Sequence, residues 1–141
     1  MKALSFLLLS VSLVGCADLT FAKQAALDYR QYRTVCISAR SWSSYLQTEM
    51  GSSTGFAAVT VACSGDEDAV LSVSVSTESY DNSTDETTDI DYYGYADYEL
   101  TDRDGQVIDS GSVKSDSETS DEAEQDVLDK VAFHYHAPYR L

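Results

Sequence analysis

Basic side chains are scarce in this chain. Its 9 Lys and Arg stand against 24 Asp and Glu, a formal net charge of −15 over 141 residues. A surface of that sign repels phosphate backbones and anionic headgroups, which argues against nucleic acid as a partner. Beyond residue 14 no apolar run approaches the roughly 20 residues that a membrane-spanning helix needs. Proline occurs once, at Pro138, and cysteine three times. Also missing are a His-Glu-x-x-His pair, a phosphate-cradling glycine loop and a Ser-x-x-Lys set. Nothing singles out a pair of acids for glycoside hydrolysis among so many carboxylates. The expectation is a protein without catalytic function and without a cofactor.

What is present begins at the amino terminus. Met1-Lys2 supplies a positive start, and Ala3 to Val14 is apolar except for Ser5, Ser10 and Ser12. Leu13-Val14-Gly15-Cys16 then has the pattern of a bacterial lipoprotein cleavage site. Together these are the n-region, h-region and small-residue boundary of a signal peptide. Residues 1–15 are expected to be removed and the Cys16 thiol to be lipidated. Acyl chains on Cys16 contribute roughly 0.8 kcal/mol per buried methylene, and several of them anchor a protein stably. Ala17, where an aspartate would retain a lipoprotein in the inner membrane, favours the periplasmic face of the bacterial outer membrane.

Removal of residues 1–15 leaves 126, enough for one domain, and loss of Lys2 takes the net charge to −16. Residues 16–33 read as the lipidated start and tether, and 34–141 as a single domain. From Asp66 to Asp129 there are 21 acids against Arg103, Lys114 and nothing else basic. Such a field attracts a cationic partner or divalent ions, or simply keeps a surface solvated in salt. With Cys16 lipidated, Cys36 and Cys63 remain in an oxidising compartment, where a disulfide between them would persist. Two buried free thiols are the alternative.

The chain reads as strand, helix, four strands, helix. Thr34 to Ala39 is β-branched and apolar; Trp42, Tyr45, Leu46 and Met50 then make a helical stripe that Gly51-Ser-Ser-Thr-Gly55 ends. Phe56 to Ala62 reads as a second strand. In Ala69 to Tyr80, Leu71, Val73 and Val75 alternate with Ser72, Ser74 and Ser76, so one face is buried and the other wet. Asp81 to Asp89 reads as a mobile polar loop, Tyr92 to Leu100 as a strand, Asp104-Gly105 as a hairpin turn and Val107 to Val113 as its partner. Thr119 and Glu122 form a capping box ahead of Ala123, Val127, Val131 and Tyr135, a helix over about 119–135. Residues 20–33, with Thr20 as N-cap, read either as a short helix or as the tether. The fold class is α+β: a mostly antiparallel sheet of four to five strands with two helices packed on one face.

Four clusters invite chemistry. Asp102-Arg103-Asp104-Gly105 suggests calcium, but an EF-hand register puts Leu100 at position 1 and Gly111 at position 12, so the hairpin turn prevails. Asp81, Asp85, Glu86, Asp89 and Asp91 could ring a calcium ion across an irregular loop, or simply repel one another. His134 and His136, two residues apart, point in different directions on a helix and cannot share a metal there. Tyr92, Tyr93, Tyr95 and Tyr98 are the strongest binding hint, because tyrosine suits a surface that is apolar at one end and wet at the other. Strand alternation puts Tyr93 and Tyr95 on one face and Tyr92 and Tyr98 on the other.

From Thr34–Ala39 through Ala69-Val-Leu-Ser-Val-Ser-Val75 and the turn at Asp102-Arg-Asp-Gly105 to the last helix, the element order resembles the lipopolysaccharide-assembly lipoprotein family. That resemblance implies a protein that plugs and helps to assemble an outer-membrane β-barrel. Cys16-Ala-Asp-Leu lacks the glycine and aromatic residue usual after the lipidated cysteine, and only Cys16 carries over as a functional residue. The expected role is that of a structural or assembly partner of another envelope component. The alternative is a periplasmic binding module for calcium, a cationic peptide or a glycan through Asp81–Asp91 and the nearby tyrosines.

Overall fold

A computed structural model describes residues 27–51 and 54–136. The signal peptide, Cys16, Thr20 and Pro138 lie outside the described residues. The elements are β1 (Thr34–Ala39), α1 (Ser43–Gly51), β2 (Ala58–Thr60), β3 (Ala69–Asp81), β4 (Ile90–Asp102), β5 (Val107–Ser117) and α2 (Ser120–His134). They form one five-stranded sheet in the order β2-β1-β3-β4-β5. The long pairs β3–β4 and β4–β5 are antiparallel, whereas β1 runs parallel to both β2 and β3. The α+β class is therefore correct, with a parallel corner that the element order did not reveal.

Both helices pack on one face. Leu71, Val73, Ala96, Tyr98 and Leu100 of the sheet meet Leu46 and Met50 of α1 and Val127, Leu128 and Val131 of α2 in one buried cluster. Full burial of each such aliphatic side chain contributes roughly 1.5–3 kcal/mol, which is why the period-two and period-four patterns decide the faces. Gly94 permits a close approach of α2 to the sheet, since a Cβ there would stand 2.4 Å from the Ala123 carbonyl oxygen.

Element ends follow local chemistry. Thr119 caps α2, its hydroxyl accepting from the Glu122 amide. The Glu122 carboxylate accepts from Ser117 Oγ at 3.0 Å, tying the helix start to the end of β5. At the β4–β5 turn, Asp102 Oδ1 accepts from the Asp104 and Gln106 amides, and Gly105 takes a φ of 78°. The register shifts beside Leu100 and Thr101, leaving Ile108 as the extra residue of a bulge.

Several boundaries differ from the sequence reading. The second strand shrinks to Ala58–Thr60, because it meets β1 at only three positions. Asp81 belongs to β3, and the turn to β4 is ordered by backbone bonds from Asn82 to Asp89 and from Thr84 to Thr87. Residues 27–33 contain no helix. They pack on the domain instead: Leu27, Tyr29 and Tyr32 touch the core, and Tyr29 Oη donates to the Tyr135 carbonyl at 2.6 Å.

The Cys36–Cys63 disulfide is formed, with Cα atoms 5.4 Å apart. It joins the buried middle of β1 to the segment between β2 and β3.

Candidate functional site: the uncovered face of the sheet

The helices leave the other face of β3, β4 and β5 open, and a tyrosine cluster stands on it. Alternation in β3 turns Glu78 and Tyr80 outward, and alternation in β4 does the same for Asp91, Tyr93, Tyr95, Asp97 and Glu99. The register sets Tyr93 between Glu78 and Asp116, Tyr80 beside Asp91, and Tyr95 between Ser76 and Lys114. Tyr80 and Tyr93 stack with ring centroids 4.2 Å apart at 15°. Tyr95 follows at 6.5 Å from Tyr93. Lys114 Nζ lies 3.9 Å from the Tyr93 ring centre and 5.6 Å from that of Tyr95. Such exposed cation–π contacts contribute roughly 0.5–1 kcal/mol each.

Partial burial pushes the Tyr80 phenol up to about 12, helped by the Tyr93 hydroxyl and by the charge of Asp91. It therefore stays neutral and able to donate at physiological pH. Tyr95 Oη donates to Glu78 Oε2 at 3.4 Å. The face can thus stack a flat or ring-shaped group on its phenols and attract cations through Glu78, Asp91, Asp97, Glu99 and Asp116.

Of the four tyrosines singled out in the sequence, Tyr93 and Tyr95 belong to this face. Tyr98 does not: it is 7% exposed, lies in the core under α2, and cannot line a binding surface with the other two. Tyr92 is half-buried on the helix side. Two members of the cluster were missed. Extension of the Ser72–Ser76 alternation would have turned Tyr80 outward, but Lys114 needed the cross-strand register.

The acidic loop does not assemble a cation cage. The Ser83 hydroxyl foremost, and then the Ser83 amide, which donates to Asp81 Oδ1 at 2.8 Å, hold the Asp81 carboxyl below the usual range. Asp91 Oδ2 accepts from Asn82 Nδ2 at 2.8 Å. Asp85, Glu86 and Asp89 do not converge with them: among the described residues no group of three or more His, Cys, Asp and Glu is placed to hold a metal ion. His134 pairs with Asp109 at 2.7 Å, and His136 stacks on Phe133. Gly51-Ser-Ser-Thr-Gly55 has the Gly-x-Ser-x-Gly spacing of a nucleophile elbow, which the sequence reading missed, taking the segment only as a helix stop. That motif needs a strand before it, whereas here it follows α1, and Ser52 and Ser53 lie outside the described residues.

No protein-family model and no curated protein matches the chain. Solved structures do. The PelC dodecamer from Paraburkholderia phytofirmans is similar at a TM-score of 0.54, with 17% identity over 81% of this chain and 93% of that one. A leucine-to-methionine variant of the same dodecamer gives 0.55, with 16% identity over 80% and 93%. A minor lipoprotein from Acinetobacter baumannii gives 0.47, with 15% identity over 72% and 87%. At these identities the likeness to PelC is one of fold. No helix among the described residues is long and apolar enough to cross a membrane.

Proposed function

We propose that this chain is a non-catalytic envelope lipoprotein, anchored through Cys16 to the periplasmic face of the outer membrane, that serves as a structural or assembly component. The observation that carries the reading is the open architecture of one face: a sheet covered by helices on one side only, with β5 as a long edge strand. Such edges and faces are ready surfaces for pairing with another chain. The PelC protein with this fold is a dodecamer, which supports assembly through the same architecture. The pattern ending at Cys16 supports the anchor.

A mild-detergent pulldown of the tagged, natively expressed lipoprotein tests this, with light scattering of the purified product. Co-extraction of one envelope component, or a discrete oligomer, is expected. A monomer that brings nothing with it refutes the assembly role. Cys16→Ser is expected to abolish lipidation and the processing that depends on it, and a variant that stays membrane-bound and is processed as before refutes the anchor.

The stacked Tyr80–Tyr93 pair amid five carboxylates supports a second reading, a binding module for a cationic peptide or a glycan. Tyr93→Ser would then abolish a ligand-induced rise in melting temperature that wild type shows.

A further inference from the structure

β1 stops at Ala39, opposite Val73, while β3 runs on to Asp81. Where β1 has ended, a groove of about 480 Å³ opens, lined by Ser38, Arg40, Ser41, Val73, Ser74 and Val75. Its volume falls within the range of small-ligand sites. Arg40 is the one charged residue of the lining, in a chain whose acids outnumber its bases by 24 to 9.

Among the described cations, Arg40 shares with Arg33 a guanidinium that meets no carboxylate, and only Arg40 lines the groove. Arg30 pairs with Asp28, Arg103 with Asp68 and Lys130 with Asp126, while Lys114 lies over tyrosine rings. The Arg40 guanidinium has no ion-pair or hydrogen-bond partner among the described residues, and the Ser38, Ser41 and Ser74 hydroxyls have none either. Glu124, which α2 presents to this segment, is engaged by Trp42 Nε1. The first turn of α1, three residues after Arg40, carries no acid. The groove is thus a concavity with a planar five-donor cation, three hydroxyls and no carboxylate.

We propose that this groove binds a small oxyanion, a carboxylate or phosphate group, with Arg40 as the bidentate donor and Ser38, Ser41 and Ser74 as supporting hydroxyls. The guanidinium fork matches the two oxygens of either group. The site is separate from the tyrosine face and does not depend on the function proposed for that face.

The test is an NMR titration of the mature chain, residues 16–141 with Cys16→Ser so that no lipid is attached, with sodium phosphate and with sodium acetate, each against sodium chloride at matched ionic strength. Saturable shifts confined to Arg40, its serine neighbours and Val73 to Val75 are expected with at least one of the two oxyanions. The phosphate and acetate arms identify which group the site prefers. Arg40→Gln is expected to weaken binding about tenfold or more. Arg40→Lys, which keeps the charge without the fork, weakens it less. Arg40 is at the surface, and an unchanged melting temperature in each variant shows that the fold is kept. Shifts no larger than those with chloride, or equal affinity in Arg40→Gln, overturn the proposal.

Discussion

Asp68 and Thr34 clasp each other where two parallel strands begin. The Thr34 amide donates to Asp68 Oδ2 at 3.0 Å, and the Asp68 amide donates to Thr34 Oγ1 at 2.9 Å. The Arg33 amide adds a bond at 2.9 Å, and Arg103 Nη2 stands 3.3 Å from Oδ1. The Thr34 amide foremost, with Arg33 and Arg103, holds the Asp68 carboxyl below the usual carboxylate range. A depressed folded-state pKa contributes stability that is present above the unfolded value near 3.9 and lost as pH falls through the folded one. Asp68→Asn is therefore expected to destabilise by about 1–2 kcal/mol at pH 7, with the gap closing in acid. Urea denaturation at pH 7 and pH 2 measures both, and a gap of the same size at each pH would exclude this role.

The disulfide bridges residues 27 apart. On the chain-entropy model such a loop contributes about 3.5 kcal/mol. Cys36→Ala with Cys63→Ala, or reduction of the wild type, is expected to lower the unfolding free energy by roughly that amount. Equal denaturation midpoints with and without reductant would count against the bridge as a stabilising staple.

Gly94 faces the Ala123 carbonyl, part of the α2 backbone, which cannot swing aside as a side-chain tip could. Gly94→Ala is expected to cost about 1–3 kcal/mol by forcing α2 away from the sheet. A thermal melt shows it as a lower melting temperature. Gly51→Ala, where a Cβ meets nothing within 4 Å, serves as the control.

Five phenols resist ionisation: Tyr29, Tyr45, Tyr80, Tyr98 and Tyr135. Burial is the first cause in each, and it pushes Tyr29, Tyr45 and Tyr80 up to about 12. Tyr45 also donates to Asp129 Oδ1 at 2.7 Å, which favours its neutral form. A raised folded-state pKa gives stability that is complete below the unfolded value near 10 and is lost as pH rises towards 12. Absorbance at 295 nm is expected to show a group of tyrosines that titrates only as the fold opens. Full phenolate formation by pH 10.5 with the fold intact would contradict it.

Much of this was legible because burial obeys periodicity. The Leu71-Val73 alternation, the Ala123-Val127-Val131 spacing and the Thr119 cap are local patterns, and the faces and element order followed from them. Tyr98 was misread because alternation assigns a residue to a face but does not say which face the helices cover. The calcium reading failed likewise: Asp81 to Asp91 are close in sequence, but their orientation depends on hairpin bonds such as Asp81–Ser83 and Asp91–Asn82.

By itself, then, the sequence determined the α+β class, the two amphipathic helices and the acidic surface, because each rests on residue type and spacing; it left Cys36 and Cys63 either bridged or free, and the structure joins them. Only the tertiary structure decided that β1 runs parallel to its neighbours, that Tyr80 stacks on Tyr93 under Lys114, and that Arg40 faces a groove free of acids. Those are relations between strands distant in the chain. They are set by register and by where a short strand ends beside a long one, which no local pattern encodes.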